Sequence, residues 1–436
     1  MDACVVQVPE AASTPRAVWS RLSSSSRSQQ QQQLVKAVVE HQQREKKKSL
    51  KRKTSFPPTA PSPTRVCGGG GGDITNSKLN KAEQEEKQRT KSEPPKKKFF
   101  PNYVPRSSPN FSHQRRIDPA MDAAPPPSSS VIFLGTGCSG ALPDARCLIH
   151  PSTPPCPVCS QALSLPPERN PNYRCNTSLL IDYCQDDGSH NYILIDVGKT
   201  FREQVLRWFS QHKIPYVHSI ILTHEHADAV LGLDDVWVVQ PSGCRNGFSQ
   251  VPIFLTKFTM DSVAARFPYL MKNKLEEDDE ISQIIQLDWK IIEGDIDKPF
   301  VSSGLEFVPL PVMHGEDYVC LGFLFGRKAR IAYLSDVSRI LPRTEHAISK
   351  SGAGQLDLLV LETNTLHGEG DPGSCHLTLT QTLNAVKRIS PKRALLIGMN
   401  HEFEHHKENQ TLAEWSSREG IPVQLAHDGL RVFIDL

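Results

Sequence analysis

Two histidines and one aspartate alternate along a short segment of this chain of 436 residues. His224, His226 and Asp228 stand in the sequence Thr-His-Glu-His-Ala-Asp-Ala, directly after the apolar run 219–222. In an extended segment, alternate side chains point to the same side. The two imidazoles and the carboxylate are therefore predicted to face one point beyond a buried strand. A rigid support of this kind is a way to build a catalytic metal centre.

Two further side chains that bind metals also end short apolar runs. His314 follows the predicted strand at 305–310, and Asp336 follows the apolar run 331–334. Each residue alone is typical of a loop, but the joint pattern is much more specific. Three imidazoles and one carboxylate can hold zinc or manganese. A single zinc can lower the pKa of a bound water to about 7, which makes hydroxide available for attack.

A cysteine cluster predicts a second, structural metal site. Cys156 and Cys159 form a Cys-x-x-Cys knuckle, and Cys147 lies nearby. Such a knuckle is a common half of a structural zinc site. The chain has eleven cysteines and no apolar signal core, which indicates a reducing compartment rather than disulfides. A pair of thiols without a metal is the simpler alternative.

Charge divides the chain into a basic arm and an acidic body. Residues 1–130 contain 23 Lys and Arg against 11 Asp and Glu, so 27 basic and 37 acidic residues of the totals of 50 and 48 remain in 131–436. The arm also carries glutamine and glycine runs and few aromatic residues, which predicts disorder. We therefore expect a disordered arm over 1–130 and one folded domain over 131–436.

The arm leaves its own role open. Its basic runs at 44–53 and 95–98 could be nuclear import signals or nucleic-acid contacts, or merely a solvated tail. Met121 resembles a natural start, so residues 1–120 could also be an alternative or mispredicted extension. No apolar run approaches the roughly 20 residues that span a bilayer. The expected location is the cytoplasm, with the nucleus as the alternative.

The body alternates apolar runs typical of strands with segments of helical spacing, which predicts an α/β fold of two sheets enclosed by helices. The predicted helices are 201–211, 231–239, 377–389 and 412–418. The predicted strands are 131–134, 178–181, 192–195, 220–222, 253–255, 305–310, 319–325, 331–334, 358–361, 394–397 and 430–434.

These motifs resemble those of the metallo-β-lactamase-fold hydrolases, over roughly residues 131–436. That family's His-x-His-x-Asp-His motif is matched by His224, His226 and Asp228, and its next two ligands by His314 and Asp336. The resemblance implies an αββα sandwich with the metal at one edge of the sheets. The nearest group is the cyclic phosphodiesterases of the carbon–phosphorus lyase pathway, which open a phosphoribosyl 1,2-cyclic phosphate. It is indicated by the segments 135–140, 176–178 and 376–401 and by the cysteine cluster.

The resemblance also implies individual roles. Asp196 matches a usual supporting aspartate, and His376 matches a histidine that assists at the substrate phosphate. His376 is expected to open a helix, whose positive end suits an anion. The implied structural zinc has four ligands, with His150 as an alternative to the first: Cys147, Cys156, Cys159 and His401.

Two positions depart from the family pattern. Alanine stands at 229, where the motif has a histidine, and glycine stands at 398, where the group has another ligand histidine. In the parent architecture both histidines bind the same ion, so we expect one catalytic metal on His224, His226, His314 and Asp336. Asp228 would then be free as a supporting or general-base carboxylate. His405 or His406 could instead reach the empty position.

The leading prediction is a metal-dependent hydrolase of a cyclic or small phosphodiester. The acidic body makes a long nucleic acid an unfavourable substrate, although the arm could bind one. No membrane partner is expected, and a homodimer is left open. Two alternatives use the same fold, namely a mononuclear iron dioxygenase and a binding or scaffold protein without activity.

Overall fold

The computed structural model describes residues 128–241, 249–271, 287–368 and 373–436. The predicted arm lies outside these ranges except for its last three residues, so its disorder and its boundary remain predictions. The first strand begins at Ser130. No helix in the described ranges is both long and apolar enough to cross a membrane.

Runs of β-branched and aromatic residues form the strands, because such residues fit a buried sheet. Fifteen strands are found there: β1 Ser130–Gly135, β2 Ser178–Cys184, β3 His190–Ile195, β4 Ser219–Ile221, β5 Val251–Thr256, β6 Leu287–Ile292, β7 Phe300–Ser302, β8 Leu305–Met313, β9 Val319–Phe325, β10 Ile331–Leu334, β11 Arg339–Ile340, β12 Leu358–Glu362, β13 Ala394–Ile397, β14 Val423–Leu425 and β15 Arg431–Phe433.

Two mixed sheets form from these strands. The first has the order β15-β1-β2-β3-β4-β5-β6, and the second has the order β11-β8-β9-β10-β12-β13-β14, with β7 paired to β8. Their inner faces share one hydrophobic core, in which Phe133 and Ile181 of the first sheet lie with Phe323 and Val360 of the second. Each outer face packs against helices in a separate core. The predicted αββα sandwich is confirmed.

Helical segments cover the outer faces and connect the strands. The α-helices are Ala145–Ile149, Pro157–Ala162, Phe201–Gln204, Ser210–His212, Ala227–Val230, Lys257–Arg266, Pro342–Ile348, Leu379–Ile389 and His405–Glu419. A π-helical turn, Val205–Phe209, joins the two short helices on either side of it. The 3₁₀ helices are Pro167–Arg169, Leu233–Val239 and Pro268–Met271.

The sheet topology explains why the predicted site residues meet. Strands β10, β12 and β13 are parallel neighbours in the second sheet. In the first sheet, β3, β4 and β5 are parallel neighbours. Parallel strands end at the same edge of a sheet. The residues that follow β10 and β13 therefore lie at one edge of the second sheet, and those that follow β4 lie at one edge of the first sheet.

Candidate functional site

Three histidines lie together where β4 and β8 end. The ligand atoms of His224, His226 and His314 all lie within 4.8 Å of one another. His314 Nε2 lies 3.2 Å from His226 Nδ1, and the rings of His224 and His226 are 4.7 Å apart between centroids. Such close imidazole nitrogens repel when protonated. Burial, followed by the neighbouring His224 and His314, lowers the pKa of His226 and favours its neutral, ligating form.

Hydrogen bonds that link Asp196, Thr223 and His224 orient the ring of His224. Thr223 donates its backbone N–H and its hydroxyl to the two carboxylate oxygens of Asp196, at 2.9 and 2.8 Å. The same hydroxyl lies 2.8 Å from His224 Nδ1. Burial raises the pKa of Asp196, and the hydrogen bonds from Thr223 act in the opposite direction. With Asp196 as a carboxylate, the hydroxyl accepts from Nδ1–H, which leaves a lone pair on His224 Nε2.

The Nε2 atom of His224 shows whether the site fits a metal ion. It is buried and has no hydrogen-bond partner among the described residues. A buried imidazole nitrogen without a partner is costly in an apo protein. An ion among the three histidines would satisfy it, so the donor set fits a divalent cation. His314 is oriented similarly, since its Nδ1 lies 2.8 Å from the carbonyl oxygen of Cys375.

A second group of possible ligands shares His314. The ligand atoms of His314, Asp336 and His376 also lie within 4.8 Å of one another. Burial by itself would raise the pKa of Asp336, but the imidazoles of His224 and His314 outweigh it and lower the pKa. Asp336 is therefore held as a carboxylate. His314 joins it to the three-histidine cluster.

His376 is paired with a carboxylate that the sequence analysis did not select. Its Nδ1 lies 2.5 Å from Glu362 Oε1, and Val337 N–H donates to Glu362 Oε2 at 2.8 Å. Burial alone would lower the pKa of His376, but the charge and hydrogen bond of Glu362 outweigh it and raise the pKa to about 10. His376 precedes the helix Leu379–Ile389, whose N-cap is Thr378. The expectation that His376 opens this helix is wrong.

Asp228 makes a different contact from the histidines of its motif. It belongs to neither ligand group of the described residues. Its Oδ2 accepts a hydrogen bond of 2.6 Å from the hydroxyl of Ser139. The turn of helix Ala227–Val230 begins directly after His226, which interrupts the alternation on which the sequence prediction relied. The predicted convergence of His224, His226 and Asp228 is therefore found only for the two histidines.

The two departures from the family motif lie in closed surroundings. Ala229 is 1% exposed and belongs to the core beneath the first sheet. Gly398 has a φ of +78°, and a Cβ there would lie 2.9 Å from Glu362 Cγ. His405 is buried beside His427 and His406 is exposed. Neither belongs to a ligand group of the described residues.

The cysteine cluster is assembled as the resemblance implied. The sulfur atoms of Cys147, Cys156 and Cys159 lie 3.0, 3.7 and 3.8 Å from His401 Nδ1. All four ligand atoms lie within 4.8 Å of one another. The backbone N–H of Asp144 donates to Cys159 Sγ at 3.3 Å, as it would to a metal-bound thiolate. His150, the alternative ligand, is not part of this group. Three sulfurs and one nitrogen fit tetrahedral zinc.

An aromatic side chain covers one side of the histidine cluster. The ring of Tyr318 stacks on His226 with centroids 5.0 Å apart and an interplanar angle of 14°. Its hydroxyl donates to Glu225 Oε2. Burial, then the charge of Glu225, raises the pKa of Tyr318 and keeps it a neutral donor. This stacking contact holds the ring of His226 in place.

Comparisons with known proteins agree with this geometry. Residues 191–399 match the beta-lactamase superfamily domain. The crystal structure of a diphosphatase from the PhnP family is 27% identical, with a TM-score of 0.54, and the match covers 71% of this chain and 98% of that one. Zinc-bound PqqB from Methylobacterium extorquens shares the fold at 16% identity and a TM-score of 0.51, over 70% of this chain and all of that one.

A curated relative extends beyond the matched region. The octanoyltransferase of Porphyromonas gingivalis strain W83 is 27% identical over 304 residues, which are 70% of this chain. The chain spans about half the length of that relative, namely 51%. Together, the domain match, the sheet topology and the PhnP-family structure show that this chain has the fold of the metallo-β-lactamase hydrolases and resembles the PhnP-family diphosphatase.

Proposed function

We propose that the protein hydrolyses a cyclic or small phosphodiester with one catalytic divalent metal, zinc or manganese. The observation that carries the proposal is the cluster of His224, His226 and His314 around an unpartnered buried Nε2 atom. These three residues and Asp336 would hold the ion. When bound, a divalent ion supplies a Lewis acid and a water whose pKa is lowered to near neutrality.

The chain's own residues supply the rest of the chemistry. His376 would donate a proton to the leaving oxygen, because Glu362 holds its imidazole protonated and fixes the orientation of the ring. Departure of an alkoxide is easier when a proton arrives with it. Asp228, held by Ser139, is proposed as a carboxylate that orients the attacking water.

A single ion is proposed because the other ligand positions are occupied differently. Ala229 has no ligand atom, and Glu362 Cγ occupies the space beside Gly398. The second proposed metal is structural, a zinc on the three cysteines and His401. It would tie the segment around Asp144 to the turn after β13. The similarity to a diphosphatase supports phosphate chemistry and adds a diphosphate to the substrates worth testing.

Hydrolysis by the purified full chain tests the proposal. With Zn²⁺ or Mn²⁺ we expect it to open a ribose 1,2-cyclic phosphate or to cleave an aryl phosphodiester. His226→Ala should abolish the activity, whereas His406→Ala should retain it, because His406 is exposed and outside both ligand groups. Absence of hydrolysis with both metals across a panel of diesters and a diphosphate contradicts the proposal.

The same samples distinguish the two alternative functions. Stoichiometric iron together with oxygen consumption would favour a dioxygenase. A protein that binds no catalytic metal and hydrolyses nothing would favour a scaffold. The acidic body makes a small substrate the expected class, and competition by single-stranded RNA tests whether the basic arm recruits nucleic acid.

A further inference from the structure

A lysine and Asp228 contact the same serine. Lys199 follows the turn after β3, and its ammonium donates to the carbonyl oxygen of Ser139 at 2.5 Å. The hydroxyl of the same serine donates to Asp228 at 2.6 Å. Lys199 and Asp228 thus share Ser139 as a contact, so the ammonium and the carboxylate that the family uses as a metal ligand contact the same residue.

The main chain fixes this neighbourhood independently of the lysine side chain. A Cβ at Gly198 would lie 2.0 Å from the carbonyl oxygen of Asp228, so only glycine allows these two backbones to approach so closely. Asn176 Nδ2 donates to the carbonyl oxygens of Cys138 and Ser139, both at 3.1 Å. Asn176 therefore holds the loop that contains Ser139, and the close approach to Asp228 holds the segment that carries Lys199.

No carboxylate among the described residues neutralises the charge of Lys199. Its side chain is exposed, and among the ion pairs of the described ranges none involves Lys199 within 4.0 Å. A lysine ammonium has three donors, of which Ser139 takes one. Residues 131–436 carry ten more acidic than basic residues, so an anionic substrate needs a local cation at this edge.

We infer that Lys199 binds a non-bridging oxygen of the substrate phosphate, beside Asp228, where a second metal ion would otherwise stand. This inference rests on the proposed function. An ammonium placed there supplies one positive charge to the phosphate and takes over part of the clamp that two ions provide. The serine contact holds the lysine in reach, and the phosphate replaces solvent at its free donors.

Binding of inorganic phosphate to the zinc-loaded full chain tests the inference without turnover. Titration calorimetry should show that Lys199→Met weakens phosphate binding about 10- to 100-fold, which is the loss of one charge-assisted hydrogen bond. Lys199→Arg should retain most of the binding. Lys213→Met is the matched control, since Lys213 is exposed and lies at the far end of the helical segment, about 18 Å along its axis.

The outcomes separate a binding role from a structural one. Equal phosphate affinity of Lys199→Met and the unchanged protein would overturn the inference, as would a loss of affinity that merely follows a lowered zinc content or melting temperature. If the unchanged protein hydrolyses diesters and Lys199→Met keeps its KM, only the inference fails. If phosphate binding depends on Lys199 but no ester is hydrolysed, the proposed function fails and the anion site stands.

Discussion

At the scale of single residues, the hydroxyl of Thr223 links Asp196 to His224 and fixes the ring of a proposed metal ligand. We predict that Thr223→Val, which keeps the shape and removes the hydroxyl, lowers the affinity for the catalytic zinc about 10- to 100-fold. The physical reason is that His224 loses the partner that directs its Nε2 lone pair toward the ion. Competition with a chromophoric chelator measures the affinity.

A second buried threonine provides the control for Thr223→Val. The hydroxyl of Thr344 is buried and donates to the carbonyl oxygen of Pro311 at 2.6 Å. Thr344→Val should cost a similar amount of stability while leaving zinc affinity unchanged. Equal zinc affinities for Thr223→Val and the unchanged protein would show that the link to Asp196 does not orient the ligand.

Asp428 gives a prediction about pH and stability. Burial raises its pKa to about 7 from the ordinary 3.8, although Cys175 N–H and the hydroxyl of Thr136 donate to it. The folded protein therefore binds a proton that the unfolded chain has released. The free energy of unfolding should fall as pH rises from about 5.5 to 7, with a slope of up to ~1.4 kcal/mol per pH unit. Urea unfolding of Asp428→Asn should lack this slope.

At the scale of elements, the turn after β13 has no room for a side chain at position 398, and so it excludes a metal-binding histidine there. Gly398→Ala should destabilise the fold by about 2 kcal/mol or more, because it adds left-handed strain and a contact of 2.9 Å with Glu362 Cγ. Gly420→Ala is the control, since Gly420 has a φ of +72° and nothing within 4 Å. It should cost only about 1 kcal/mol. Equal unfolding free energies of the two variants would contradict the proposed crowding.

The central strands were predictable because they are buried on both faces and read as continuous apolar runs. The sequence prediction of 358–361 agrees with β12 Leu358–Glu362, whose residues are all buried. Two edge strands, β6 and β14, were missed, whereas the edge strand β15 Arg431–Phe433 was predicted as 430–434. β6 Leu287–Ile292 exposes Lys290 and Ile291, and β14 Val423–Leu425 has only three residues. The first lacks the alternation that indicates a strand, and the second is too short to establish one.

Site residues could be predicted where they stand at the end of a strand, but contacts between residues distant in the sequence could not. Glu362 ends the apolar run of β12, as Asp336 follows that of β10, so the same reasoning applied to that run would have found it. The absence of Asp228 from the ligand groups of the described residues could not be foreseen, because a helical turn starts within the motif. The contact between Lys199 and Ser139 joins residues 60 positions apart, and no spacing along the chain reports it.

At the scale of the whole molecule, the proposed catalytic ligands, His224, His226, His314 and Asp336, share no residue with the proposed structural ligands, the three cysteines and His401. One is built by the ends of β4, β8 and β10. The other joins the segment 145–162 to the turn after β13. Each would hold its own ion, so loss of one ion need not release the other. The number of metal ions per chain then follows from the residues that are present.

Elemental analysis of the purified chain should find two zinc ions, one in each group. His226→Ala and Cys159→Ser should each contain one, and the matched control Cys184→Ser should retain two, because Cys184 belongs to neither group. Ala229→His should also contain two, since Glu362 still occupies the space beside Gly398 that a second catalytic ion would need for its other ligand. A third ion in the unchanged protein would contradict the single catalytic metal, and a third ion only in Ala229→His would show that Ala229 alone excludes it.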